Sequence, residues 1–218
     1  VNLGCERLRH GICRASVLLL DGQEEQIQFD GSQFVDLSTG TSMSRKELAD
    51  QGMSGSRESL EATVTHSSPV SPPPFMVGMV EIELDKLTGS VEILDYVAVV
   101  DCGTVVNPNL ARVQTEGGLV QGIGMALYED IQYTATGKMR NNSFMQYKIP
   151  TRLDLGRLRV EFESSYEPTG PFGAKSIGEI VINTPSPALV HAIATATGLW
   201  FPELPVTSEK LAMGQTKK

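Results

Sequence analysis

Phe75-Met76-Val77-Gly78-Met79-Val80-Glu81-Ile82-Glu83-Leu84-Asp85 reads as a β-strand. Met76, Val80, Ile82 and Leu84 fall on one side, and Val77, Met79, Glu81 and Glu83 on the other. A period of two is what a half-buried strand shows. Lys86-Leu87-Thr88-Gly89 is a turn, and Val91 to Asp101 returns as a second strand. The pair predicts a β-hairpin with one face on a core.

Directly after the hairpin, Asn107-Pro108 opens a helix predicted to run to about Tyr128. Asn is a good N-cap and Pro a favoured first helical residue. The interior of this helix holds Gly117, Gly118, Gly122 and Gly124. Each glycine costs about 1 kcal/mol against alanine in a helix interior. A helix that keeps four of them needs a packing or ligand reason for its bare face. Further on, Leu158 to Glu163 reads as a strand and Gly170 to Gly178 as a glycine-punctuated loop. Pro187 to Thr197 is an alanine-rich helix, and Thr207 caps a last helix through Met213.

Before the hairpin, Leu3 to Leu20 has near-helical spacing of Leu8, Ile12, Ala15 and Leu19, which Gly11 interrupts. Gln26 to Leu37 reads as short strands around a turn at Asp30-Gly31. Ser44-Arg45-Lys46-Glu47 is a capping box, with a short helix through Ala49 ending near Gly52. Met53 to Ser56 and Ser67 to Pro74 are loops, and Glu58 to Thr65 a strand between them. The division that follows is 1–66, a helix and short strands, and 67–218, which carries the hairpin, the glycine-rich helix and the Gly-Glu loop. Strands and helices in this order make an α+β fold of mixed sheets with packed helices.

Composition limits the function. The 218 residues are 40% hydrophobic and 20% charged, enough for a packed core. A net charge of −8 argues against binding a phosphate backbone, so no nucleic-acid partner is expected. The apolar stretch Ala15 to Leu20 is too short to span a bilayer. Cys5, Cys13 and Cys102 are an odd number at unrelated spacings, and His10, His66 and His191 are equally scattered. They form neither a disulfide framework nor a metal site, and buried reduced thiols fit a cytoplasmic protein. The chain opens Val1-Asn2-Leu3 without Met, which points to a processed subunit or a piece of something longer.

Three local features invite a chemical reading. Gly170-Pro171-Phe172-Gly173-Ala174-Lys175-Ser176 approaches a phosphate-binding loop, but Ala174 separates Gly173 from Lys175 and the glycine spacing is wrong. Glu179 follows Gly178 and precedes Ile180-Val181-Ile182. From spacing alone it is a solvated carboxylate or a helix-start acid; burial in a cleft would suit it to proton abstraction. Gln114 and Gln121 sit seven apart and share a helix face. Their amides, with Glu116 nearby, are either a polar stripe or tools for holding a polar cofactor group.

Four blocks together resemble the molybdenum-binding large subunit of the xanthine dehydrogenase and aldehyde oxidase family of molybdenum hydroxylases. Asp101 to Pro108 is similar to the family's D-x-G-x-x-x-N-P. Gln114 to Glu129 is similar to Q-x-E-G-x-x-x-Q-G-x-G-x-x-x-x-E. Tyr147-Lys148-Ile149-Pro150 looks like Y-K-I-P. Gly173 to Glu179 looks like G-x-K-x-x-G-E. Each is weak alone; all four in order are specific. They span most of residues 75 to 180, whereas the first 60 residues match loosely.

The resemblance implies the second half of a molybdopterin-binding domain. It places Glu179 on the family's general base, which acts toward a molybdenum-bound hydroxyl as an aldehyde or an N-heterocycle such as a purine is hydroxylated. It places Gln114 on a glutamine that hydrogen-bonds the cofactor, and lets Gly178 bring the loop close to the metal site. Lys175 either faces an anion or braces the loop. The implied cofactor is a molybdenum pterin, in many bacterial members extended with cytosine dinucleotide. Iron–sulfur clusters and FAD are expected only on other domains or subunits, since no cysteine cluster occurs here. The implied partners are the remainder of the molybdenum subunit, those redox subunits, a small-molecule substrate and further copies in a homo-oligomer. This chain alone is expected to show no turnover. The rival reading is a non-catalytic scaffold or binding module of the same fold.

Overall fold

The computed structural model describes residues 2–55, 61–67 and 70–215. Two compact units result, Val1–Ser68 and Pro69–Lys218.

The first unit opens with α1 (Asn2–Leu20), a continuous helix in which Gly11 is buried rather than a break. Strands β1 (Ile27–Phe29), β2 (Gln33–Asp36) and β3 (Ser42–Ser44) form an antiparallel sheet in that order. The turn at Asp30 is held by its own carboxylate, which accepts from the backbone N–H of Ser32 and Gln33 at 2.8 and 2.9 Å. Helix α2 (Arg45–Gly55) starts at the expected capping box. Glu47 N–H donates to Ser44 Oγ at 3.2 Å, and Ser44 N–H donates to the Glu47 carboxylate at 2.9 Å. Phe34, Met43 and Leu48 form the core, with Ile12 and Leu19 of α1 packed on it.

Three expectations here need correction. Helix α2 runs past Gly52 and takes in residues 53–55, read from sequence as loop. Its core contact at Leu48 outweighs the small propensity cost of glycine. β3 was not anticipated. The strand expected at Glu58 to Thr65 is absent where the chain is described: 61–67 has no regular structure, and 58–60 lies outside the described residues. The Thr63 carbonyl accepts from Arg7 Nη1 of α1 at 3.2 Å instead of from a strand ladder.

The second unit is a mixed sheet with helices on one face. β4 (Phe75–Leu84) and β5 (Val91–Asp101) pair antiparallel, and β6 (Arg157–Phe162) lies parallel to β5, so β5 is central. A bulge sits where Glu81 pairs with Asp95 but Ile82 pairs with Ile93, leaving Leu94 as an extra residue. Strict alternation would send Ile93 and Tyr96 to opposite faces. The bulge restores one face, and both are buried.

Helix α3 (Pro108–Leu127) has its predicted cap, with Asn107 Oδ1 accepting from Leu110 N–H at 3.1 Å. A short helix α4 (Ile180–Asn183) follows the Gly-Glu loop and leads into α5 (Pro185–Thr197). Helix α6 (Ser208–Gln215) is capped by Thr207, whose hydroxyl accepts from Lys210 N–H at 3.3 Å. Ile93, Ile123, Leu127, Leu189, Ile193, Val206 and Leu211 make the main core between β5, α3, α5 and α6. Tyr96, Ala98, Leu119 and Val160 continue it toward β6. The expectation of uniformly buried thiols is corrected: Cys102 is buried, Cys13 partly so, and Cys5 exposed.

Candidate functional site

The four sequence blocks converge in the second unit. The first block ends β5. There the Asp101 carboxylate accepts from Lys175 Nζ at 2.7 Å, Ser165 Oγ at 2.5 Å and Gly103 N–H at 3.0 Å. Lys175, with Ser165 and Gly103 behind it, pushes the Asp101 carboxyl down to about 2. Backbone bonds lock the same strand end to the Gly-Glu loop. Thr104 N–H donates to Gly173 O at 2.8 Å, and Lys175 N–H donates to Cys102 O at 2.7 Å. Lys175 is therefore a brace. Its side chain is 7% exposed and its charge is consumed inside the fold.

The second block is α3. Its glycines have two different roles. A Cβ on Gly118 would collide with the Val181 side chain of α4, and one on Gly122 would meet Pro185 Cγ of α5 at 2.7 Å. These two exist so that α4 and α5 can pack closely. Gly117 differs: a Cβ there would meet nothing within 4 Å. The third block closes onto the second, with Tyr147 OH donating to Glu129 Oε2 at 2.6 Å.

On the open side of α3 lies a cleft of about 690 Å³, lined by Gln114, Gly117, Gln121, Gly178, Glu179 and Asn183 among others. Gln114 Nε2 donates to Gly178 O at 3.3 Å, which ties the Gly-Glu loop to α3. Gln114, Gly178 and Glu179, 65 positions apart in sequence at the extremes, thus share one cleft. Gln121 joins them, as its spacing from Gln114 predicts. Glu116 does not: it pairs with Arg112 at 2.8 Å along the helix. The Glu179 carboxylate makes no hydrogen bond or ion pair to a described residue, and it is exposed in this chain rather than buried. The cleft is open to solvent.

Sequence reasoning left two contributors unplaced. The Asp101–Lys175 pair spans 74 positions, and its one signal was the charged residue that each of two blocks places two positions from a glycine. Gly117 could not be told from Gly118 without the packing of α4. Among the described residues no group of three or more His, Cys, Asp or Glu side chains could hold a metal. Among the same residues no helix is long and apolar enough to cross a membrane.

A family model for the molybdopterin cofactor-binding domain matches residues 1–156. The chain belongs to the molybdopterin cofactor-binding domain family. It is similar to molybdenum-binding subunits of the xanthine dehydrogenase and aldehyde oxidoreductase type. Among its relatives is the probable hypoxanthine oxidase XdhD of Escherichia coli K12, 33% identical over an aligned length of 213, an alignment that covers 90% of this chain and 22% of that protein. Another is the putative xanthine dehydrogenase molybdenum-binding subunit XdhA of the same organism, 36% identical over 177 residues, 78% of this chain and 23% of that one. The fold matches CO dehydrogenase from Oligotropha carboxidovorans with a TM-score of 0.73 at 22% identity, covering 99% of this chain and 28% of that one. The chain thus spans about a quarter of the length of these relatives. The mixed-sheet α+β architecture read from sequence is that of molybdenum hydroxylases.

Proposed function

We propose that this chain forms one wall of the active site of a molybdenum hydroxylase that oxidises an aldehyde or an N-heterocycle such as a purine. The observation that carries the reading is the Gln114–Gly178 hydrogen bond. It holds a carboxylate that pairs with no described residue beside a helix face that carries the amides of Gln114 and Gln121 and a bare glycine.

These residues fit a molybdenum pterin. Gln114 and Gln121 offer amide donors and acceptors to a polar, hydrogen-bonded group. Gly117 leaves room for close approach along α3, and Gly178 does so along the loop. A cytosine dinucleotide extension is compatible with such a surface. When bound, the cofactor supplies the redox chemistry of the hydroxylation. Glu179 does the work of this chain: its carboxylate takes the proton released as the substrate is hydroxylated, and its exposed position opens it to the remaining walls of the site. Those walls come from the rest of the molybdenum-binding subunit. Iron–sulfur domains or subunits, with FAD in some assemblies, carry electrons away, and the complex works as a cytoplasmic homo-oligomer.

Glu179→Gln in the full-length enzyme tests this. The substitution keeps shape and removes basicity. Turnover of the enzyme's aldehyde or heterocycle substrate should fall by about 10² to 10⁴-fold, with molybdenum content unchanged. Unaltered turnover removes Glu179 as the base and favours the scaffold reading.

A further inference from the structure

The loop that carries Glu179 is held in an unusual way. Between Ala174 and Glu179 the chain has little apolar anchorage: Ser176 and Gly178 are exposed, and Ile177 is half-buried. Short loops with few buried contacts open at low cost. What fixes this one is polar and sits at its two ends. At the far end is the Gln114–Gly178 bond. At the near end is the nearly buried Lys175 ammonium against Asp101 at 2.7 Å, with the Phe75 ring 5.2 Å from the same nitrogen.

Asp101 is a hub. It ends the central strand β5, and its second oxygen is taken by Ser165 Oγ and Gly103 N–H. Two backbone bonds and the Gly103–Ala174 bridge run parallel to the ion pair. The loop is therefore registered to the central strand of the sheet, four residues before Glu179. A charge this deeply covered stays in place only while its partner does.

We infer that Lys175, seated on Asp101, is a positioning residue that sets where Glu179 stands in the cleft and so controls proton transfer by it. The inference rests on the reading of Glu179 as the base. Displacement of a reacting group by about 1 Å costs on the order of 10²-fold in rate, so loss of the brace should be seen in turnover before it is seen in binding. Asp101 stays ionised far below neutral pH, so its carboxylate adds no step to the pH profile in the range where a base works.

The test uses the full-length holoenzyme with Lys175→Met, Lys175→Arg and Glu179→Gln side by side. Lys175→Met should lower kcat by about 10- to 10²-fold with KM within about twofold and molybdenum content unchanged. Amide hydrogen exchange across residues 174–179 should speed up at least tenfold (about the effect of 1.4 kcal/mol). Lys175→Arg should restore most of both. If Glu179→Gln is inactive while Lys175→Met keeps full kcat, the positioning role is overturned and the base stands. If Glu179→Gln keeps its turnover, the base reading fails instead, and unchanged exchange in Lys175→Met then overturns the brace as well. Should Lys175→Met not accumulate, Ser165→Ala removes one Asp101 contact without uncovering a charge. It should quicken the same amides and lower kcat by a smaller factor; unchanged exchange overturns the inference.

Discussion

Gly117 and Gly118 are neighbours on one helix, yet they do opposite things. A side chain at Gly118 would run into Val181, which is 1% exposed, β-branched and unable to yield. A side chain at Gly117 would enter open space beside Gln114 and Glu179. Both glycines border the one cleft, but Gly118 is bare so that the protein can close on itself, whereas Gly117 faces open space. A glycine-rich helix can thus hold glycines of two kinds, and composition alone cannot separate them.

The sharpest way to break this comparison is at the closed face. Gly118→Ala inserts a methyl into a packed contact with α4 and should destabilise the unit by about 2–3 kcal/mol, read as a lowered Tm. An unchanged Tm would mean that α3 and α4 do not meet as described. The next effect is at the end of β5, which anchors the loop bordering the open face. Asp101 is held well below the usual carboxylate range when folded. The stability it contributes is complete above its ordinary pKa near 4 and is lost as pH falls from there toward about 2. Melting of wild type and Asp101→Asn should therefore converge across that window. A gap that persists to pH 2 would deny the ion pair its role.

Much of this arrangement was legible in the sequence, and the division is physical. Local signals read correctly: the alternation of Phe75 to Leu84, the Asn107 and Thr207 caps, and the Ser44–Glu47 box all depend on residues a few positions apart. Gln114 and Gln121 share the cleft because seven residues are two helical turns. What escaped was non-local. The parallel pairing of β6, the bulge at Leu94 and the Asp101–Lys175 pair are settled by partners 60 or more positions away or by burial of Ile93 and Tyr96 together. Helix α4 is four residues long, too short for periodicity to announce it. The site followed the same rule. Its blocks were recognisable, but the bond that unites them, from Gln114 to Gly178, was not.

The open face gives the smallest effect on folding. Gly117→Ala should raise stability by up to about 1 kcal/mol, because alanine favours the helix and meets nothing.

The central claim, that this face receives the cofactor, is tested most directly by molybdenum content in full-length enzyme carrying Gly117→Leu, produced alongside cofactor synthesis. A side chain that the fold tolerates should stand where the cofactor approaches. The account predicts a Tm at or above that of wild type with molybdenum content at least about tenfold lower, the equivalent of 1.4 kcal/mol of lost binding. Full molybdenum occupancy together with normal turnover would contradict it.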